Sequence, residues 1–376
     1  MSGKRRAGVR ARALGTTTSI VAAVAAVAVI VAVVGAIVDV RTAAAGFVAA
    51  YVAVTSVVLG TLAMIMIAHI TTATWFGALR RRAELVVGAM PALALLGVVL
   101  VAAVILLDRP TDAGANPSRQ LYLAPWFVAA RTVVYWITWL LIAWSLRRAD
   151  RLEAQGDVVA AVRRFRRTSC AGLVVLGLTM TFASFDWMMS LSGDWPSTIY
   201  GVYWFGGGMI AALSLLALLA TRRDDDRAFP LVGEEQRKAL GKLMLTFVMF
   251  WVYIGFAQYI VIWSADLPSE VTWYVARTKG PWGFVALLIL LAGGAVPFLA
   301  LLQSSVRRSG AWLAGLGALL LFIHYIDSYW LVLPAVVPFH WWTLIVSAAC
   351  LVIVAAPAIV FAWSRRSTPE FAPINR

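Results

Sequence analysis

Ten stretches of roughly twenty apolar residues, parted by short polar loops, run through the chain from residue 17 to residue 363. As helices they are each long enough to cross about 30 Å of hydrocarbon. A segment in lipid must satisfy its own backbone N–H and C=O groups, and a continuous helix does so. The chain is therefore expected to be an all-α integral membrane protein. Hydrophobic residues make up 62% of the 376, and charged residues only 13%. A soluble domain carries about a quarter charged residues, and no polar stretch here is long enough to build one.

The expected spans are 17–39, 45–74, 84–107, 123–146, 168–191, 197–221, 240–264, 281–304, 311–333 and 340–363. The basic run 1–16 leads into the first span without a small-residue cleavage site, so that span reads as an uncleaved helix. All but six of the 32 lysines and arginines fall in alternate segments: 1–16, 80–82, 147–167, 222–242, 307–308 and the tail 364–376. Positive segments stay cytoplasmic, which puts both termini inside and makes the helix count even. Topology thus accounts for the net charge of +14 without nucleic acid. The segment 147–167 reads either as a short amphipathic helix along the membrane surface or as a solvated linker touching anionic lipids. The loop 108–122, with Pro110, Gly114 and Pro117, reads as irregular. Cys170 and Cys350 are two isolated cysteines, too few for an iron–sulfur cluster, and read as small buried hydrophobes.

The informative residues are the few ionisable ones carried into the bilayer, where a central charge costs about 3 kcal/mol on insertion scales. They are His69, Arg131, Asp186, His324 and Asp327, with Asp266 at a helix end. Odd helices run outward and even ones inward, so all but His69 fall toward the outer side. His324 and Asp327 are three apart on one helical face and could share a proton or a hydrogen bond. Arg131 could pair with Asp186 or with Asp327. Two readings stand: a proton-exchanging or quinone-head-group site open to the outside, or an ion-pair network tying helices together. Gln258, Tyr259, Tyr203 and Tyr253 could add hydrogen bonds to such a site, or serve as interhelical and interfacial contacts. The three histidines, His69, His324 and His340, lie at unmatched depths, which argues against a transmembrane b-type haem. No phosphate-binding loop, dinucleotide fingerprint or metal-binding motif stands out. The run Gly206-Gly207-Gly208 serves either close helix contact or a flat ligand.

A weak internal echo links the second to fifth helices with the sixth to ninth. Ala124-Pro125-Trp126 and Arg147-Arg148 bracket the fourth helix as Gly280-Pro281-Trp282 and Arg307-Arg308 bracket the eighth. Asp186-Trp187 in the fifth is answered by Asp327 and Trp330 in the ninth. A shift of four helices preserves orientation, so the echo is either a parallel duplication of a four-helix unit or chance recurrence of short motifs.

Four stretches carry a family resemblance: SFDWMMSLSGDWPSTIYGVYWFGGG (184–208), GKLMLTFVMFWVYIGFAQYIVIWSADLPSEVTWYVAR (241–277), HYIDSYWLVLP (324–334) and APWFVAARTVVYW (124–136). In that order they resemble the NrfD-like membrane subunits of alternative complex III, a bacterial quinol:cytochrome c or quinol:oxidase oxidoreductase. Length and the FDWMMSL motif are similar to the shorter, F-type subunit. The resemblance implies two four-helix bundles, helices two to five (45–191) and six to nine (197–333), flanked by helices 17–39 and 340–363, in a bacterial inner membrane. It implies a subunit not catalytic alone and without its own metal or covalent cofactor, with quinone or menaquinone as the ligand to consider. Implied partners are the sister NrfD-like subunit, an iron–sulfur subunit of molybdopterin-enzyme type, multihaem and monohaem cytochromes c, a terminal oxidase, and lipids. Asp186, His324, Asp327 and Arg131 match positions ascribed to proton half-channels; Asp266, Tyr259 and His69 complete the candidate set. The better-supported quinol site of the family belongs to the sister subunit. Ser192-Gly193-Asp194 departs from the Asp-Pro-His-like turn common at that point. Rival readings are a secondary transporter, or the membrane anchor of a polysulfide- or nitrite-reductase-type complex.

Overall fold

Apolar length sets the helices, and small residues set how they meet. The structure is a computed structural model that describes residues 23–107, 117–193, 195–221 and 231–364, and among these there is no strand. The helices are α1 Ala23–Val38, α2 Val40–Ile70, α3 Thr74–Leu107, α4 Pro125–Ala154, α5 Val158–Ser192, α6 Tyr200–Thr221, α7 Glu234–Ala265, α8 Pro281–Leu302, α9 Gly310–Val336 and α10 Trp341–Phe361. Nine of them, α2 to α10, are long and apolar enough to cross a membrane; α1 is the shorter one. Its expected beginning at 17, the N-terminal run 1–16 and residues 365–376 of the tail lie outside the described residues, as do 108–116 and Asp194. Of the loop expected to be irregular, Pro117–Tyr122 forms a short helix.

The helices differ from their expected bounds wherever charge follows an apolar run. The segment 147–167 does not form a separate surface helix. Instead α4 runs on to Ala154, Gly156 turns the chain at φ +89°, and α5 starts at Val158 with the Asp157 carboxylate accepting from Ala160 N–H at 3.1 Å. A helix of 30 residues is about 45 Å long, so this hairpin overshoots the hydrocarbon. Hydropathy registers only the apolar part of such a helix. Likewise α2 begins at Val40, capped by Asp39, whose Oδ1 accepts from Arg41 N–H at 3.0 Å. The Thr42 hydroxyl, donating to the same side chain, holds the Asp39 carboxyl below the usual carboxylate range.

In lipid, apolar surface gains little by meeting other apolar surface, so close association falls to small residues. The first half of α2 reads TAAAGFVAAYVAV. It is the most enclosed span, with 83% of its apolar window buried against 22% for α7. It packs on α3, α5, α6, α9 and α10. Where α2 crosses α6, a Cβ on Gly60 would lie 2.4 Å from the Gly208 carbonyl oxygen, and one on Gly208 would lie 2.8 Å from that of Ser56. Close packing is therefore what the glycine run supplies at Gly208. The contacts also repeat: α2 meets α5 as α6 meets α9, and α2 meets α9 as α6 meets α5.

Arginines gather at one end of this assembly. Arg80 pairs there with Glu84 at 2.9 Å, with Glu153 at 3.3 Å and with Asp150. Arg82 donates to the Leu219 carbonyl at the close of α6, and Arg308 pairs with Glu234 at 3.1 Å. The candidate outer residues lie at the opposite end.

Candidate functional site

Two polar clusters form at the arginine-poor end, one in each half of the chain. In the first, Arg131 of α4 grips Asp186 of α5 with two parallel bonds, Nε to Oδ2 and Nη2 to Oδ1, both 2.9 Å. Tyr135, four residues on and so on the same face of α4, donates its hydroxyl to Asp186 Oδ2 at 2.7 Å. Arg131 also donates to the Tyr122 carbonyl at 2.9 Å, with its guanidinium carbon 4.0 Å from the Tyr122 ring centre and 4.3 Å from that of Phe127. Burial first, then the neighbouring Asp186, raises the Tyr122 hydroxyl to about 12. Trp187 donates to Thr132 at 3.0 Å, locking the two helices beside the ion pair. Asp186 is wholly buried, and both of its carboxylate oxygens accept hydrogen bonds. Of the two partners open to Arg131, Asp186 is the one it takes.

The second cluster has the acid without the cation. Asp327 of α9, 3% exposed, accepts from the Tyr203 hydroxyl of α6 at 2.8 Å. Among the described residues no ion pair joins it to a base. His324 does not share a hydrogen bond with Asp327, contrary to the spacing argument. Its Nε2 turns to Ser56 Oγ of α2 at 2.8 Å and to the Ala53 carbonyl at 3.3 Å. Gly207 makes room for that ring: a Cβ there would stand 3.3 Å from His324 Nδ1.

The cation of this half is Arg277, on a short helix Pro268–Thr278 between α7 and α8. It is 1% exposed, donates to the carbonyls of Leu331 at 2.7 Å and Trp273 at 3.2 Å, and leaves Nε without a partner. Its guanidinium carbon lies 3.8 Å from the Trp273 ring centre. Among the described residues no acid pairs with it. Burial draws the guanidinium down to about 10, so it is still a cation at neutral pH. Sequence reading passed over Arg277 because the polar stretch around it reads as an outer loop. The available signal was Pro268 at a helix start, with Trp273 and Arg277 four apart on one face.

Between the short helix and α6 to α9 opens a cleft of about 500 Å³, walled by Tyr200, Tyr203, Trp251, Tyr259, Trp273 and Trp330. Its α8 wall includes Ile289 and Leu290, which open a π-helical stretch, Ile289–Ala295. Such insertions often mark functional sites.

The remaining candidates are Tyr259, Asp266 and His69. Tyr259 lines this cleft, its ring edge-on to Tyr274 at 5.3 Å. Asp266 caps α7 in the left-handed region at φ +47° and is exposed, apart from both acids. His69 sits near the arginine-rich end, stacked on Phe165 at 4.0 Å, and joins neither cluster. Cys350 is buried as expected, whereas Cys170 is exposed on α5. No protein-family model matches the chain, and no curated protein matches it.

Proposed function

We propose that the chain is a membrane subunit of a quinol-oxidising respiratory complex of the alternative complex III type. In this reading it lies in a bacterial inner membrane with both termini cytoplasmic. Two four-helix units, α2 to α5 and α6 to α9, meet at the Gly60–Gly208 crossing, flanked by α1 and α10. The repeated helix contacts and the arginine-rich end support that arrangement. Partner subunits carrying iron–sulfur clusters and haems take the electrons; this chain serves the protons.

The observation that carries the reading is the buried Asp327–Tyr203 pair at the arginine-poor end, with no base bonded to the acid among the described residues. Quinol oxidation releases two protons for each two electrons. A carboxyl hydrogen-bonded to a tyrosine and free of a fixed counter-ion can take a proton and pass it on. Asp186 is held by Arg131 and Tyr135, which suits a structural tie. The parallel relation of the halves and the off-centre acids count against a secondary transporter, which more often has inverted repeats and a midplane site.

Purification in mild detergent through a tag after Arg376, with visible absorbance and mass spectrometry of co-purifying chains, tests the reading. Haem bands with iron–sulfur and cytochrome chains are expected. A colourless, solitary protein would overturn it.

A further inference from the structure

At the arginine-rich end, the outward face of α5 carries cations that no acid answers. Arg163, Arg166 and Arg167 are exposed, and among the described residues none of them pairs with a carboxylate. With Val159, Val162 and Cys170 they line a shallow groove on this face. Arg80, at the same end, is by contrast matched by three carboxylates. The nearest acid along α5 is Asp157, about 9 Å from Arg163 by helical rise, and it is engaged by the Ala160 N–H. Beyond the arginines the same stripe loses its charge: Cys170, Val174 and Leu178 follow at helical spacing, all exposed. A Cβ on Gly177 would meet nothing within 4 Å, so none of the described helices covers that point. Depth is marked by Trp144 of α4, with the guanidinium carbons of Arg148 and Arg164 at 5.9 and 5.5 Å from its ring centre. Exposed tryptophans gather at the membrane–water boundary. Ser145, next to Trp144, bonds Thr168 across the hairpin at 2.7 Å, which levels that boundary with the step from Arg167 to Cys170.

We infer that this face of α5 is a binding site for an anionic phospholipid. The order along the helix is cations, boundary, apolar stripe, which is the order of phosphate, glycerol and acyl chain in a lipid. Long arginine stems lie along apolar surface while their heads stay at the boundary, and a guanidinium offers paired donors to phosphate oxygens. The phosphate would sit among Arg163, Arg166 and Arg167, and an acyl chain would run along Cys170, Val174 and Leu178 past the notch at Gly177. Three cations without a counter-charge disfavour a zwitterionic headgroup, whose own ammonium would face them; a phosphoglycerol headgroup brings none. An acidic protein segment would answer the arginines but not the apolar stripe, which continues for about two turns into the hydrocarbon. The inference needs only that the arginine-rich end meets a membrane surface, so it stands whether or not the chain is a respiratory subunit.

The test is photolabelling of the purified full-length protein, in whatever assembly it purifies, in phosphatidylcholine vesicles. These carry a trace of phosphatidylglycerol with a diazirine in its acyl chain. Peptide mapping should place label on α5 around Cys170 to Leu178, competed by unlabelled phosphatidylglycerol and not by added phosphatidylcholine. Arg163→Gln, Arg166→Gln or Arg167→Gln alone should lower that label about fivefold, the worth of one arginine beside an anionic lipid surface. The three together should remove the preference for the anionic lipid. Lys238→Gln, Lys242→Gln and Arg308→Gln together take the same charge from elsewhere at this end and should leave the α5 label unchanged. Equal labelling by a diazirine phosphatidylcholine would overturn the inference, as would α5 label that survives the triple arginine change. Label that falls as far in the control triple would show only general surface charge and sink the site. Competition by inorganic phosphate would show a phosphate site rather than a lipid one. An α5 left unlabelled, as under an acidic protein partner, overturns it too. The competition series on the unaltered chain decides between these outcomes even where a variant fails to purify.

Discussion

The two halves of the molecule use the same kind of residues at the same end to opposite effect. In the first half, arginine and aspartate meet on adjacent helices in a two-bond ion pair, with Tyr135, Thr132 and Trp187 filling the surroundings and Arg131 Nη1 left unbonded. In the second half, aspartate and arginine stay apart: Asp327 is held by a tyrosine, Arg277 by backbone carbonyls, and an aromatic cleft opens beside both. A closed ion pair is a tie; the same charges held apart leave hydrogen-bonding capacity for something else. The first cluster thus has its acid tied to a cation, while the second leaves its acid without one among the described residues.

The widest separation between the halves should come from removing each arginine. Arg131→Leu strands a wholly buried carboxylate, so a loss of about 3–5 kcal/mol is expected, seen as a large fall in unfolding temperature by tryptophan fluorescence in detergent. Adding Asp186→Leu should recover much of it, because the penalty comes from the orphaned charge. If Arg131→Leu proved no worse than the corresponding change at Arg277, the contrast drawn here would collapse.

A smaller effect should follow at the seam. Gly60→Leu would thrust a side chain against the Gly208 backbone, 2.4 Å away already at Cβ. About 1–3 kcal/mol should be lost, with Gly60→Ala already measurably destabilised in the same unfolding assay.

Arg277→Met should change stability by no more than about 1 kcal/mol in the unliganded protein. The Leu331 and Trp273 carbonyls lose a donor, but a buried cation without an acid is removed as well. The folded value near 10 lies below the ordinary 12.5, so burying this charge costs stability below pH 10, and the cost fades as pH rises toward 12.5. At neutral pH the variant escapes that cost in full. A collapse of the unfolding temperature would show Arg277 to be a second tie.

The least stability change, under about 1 kcal/mol, is expected for Asp327→Asn, which keeps an acceptor for Tyr203. On the function proposed above, its effect should lie in quinol turnover of the complex, reduced at least about tenfold. Asp186→Asn, by contrast, should act mainly through stability. Unchanged turnover in Asp327→Asn would remove that residue from the proton path.

Much of the fold was legible along the chain, and much of the site was not. The spans could be placed because crossing lipid demands an unbroken apolar run, a one-dimensional property. Their ends slipped where a helix continued into charge, as α4 does to Ala154, since lipid exclusion stops at the interface while backbone hydrogen bonding continues. Depth along each span placed Asp186, Asp327 and Arg131 at one end and set His69 apart. The pairing of His324 with Asp327, read from spacing, failed because both side chains found better partners on other helices.

What the sequence determined is therefore the class, the rough position of the nine long apolar spans seen among the described residues, and the end toward which each buried charge lies. Which face a charge presents, and what stands opposite, follows from how ten helices rotate and pack, where Gly60 must meet Gly208 and α2 must be enclosed. Hydrophobicity sets depth, but nothing local to a single helix sets azimuth. Only the tertiary structure decided that Arg131 meets Asp186 while Arg277 and Asp327 remain apart beside an aromatic cleft.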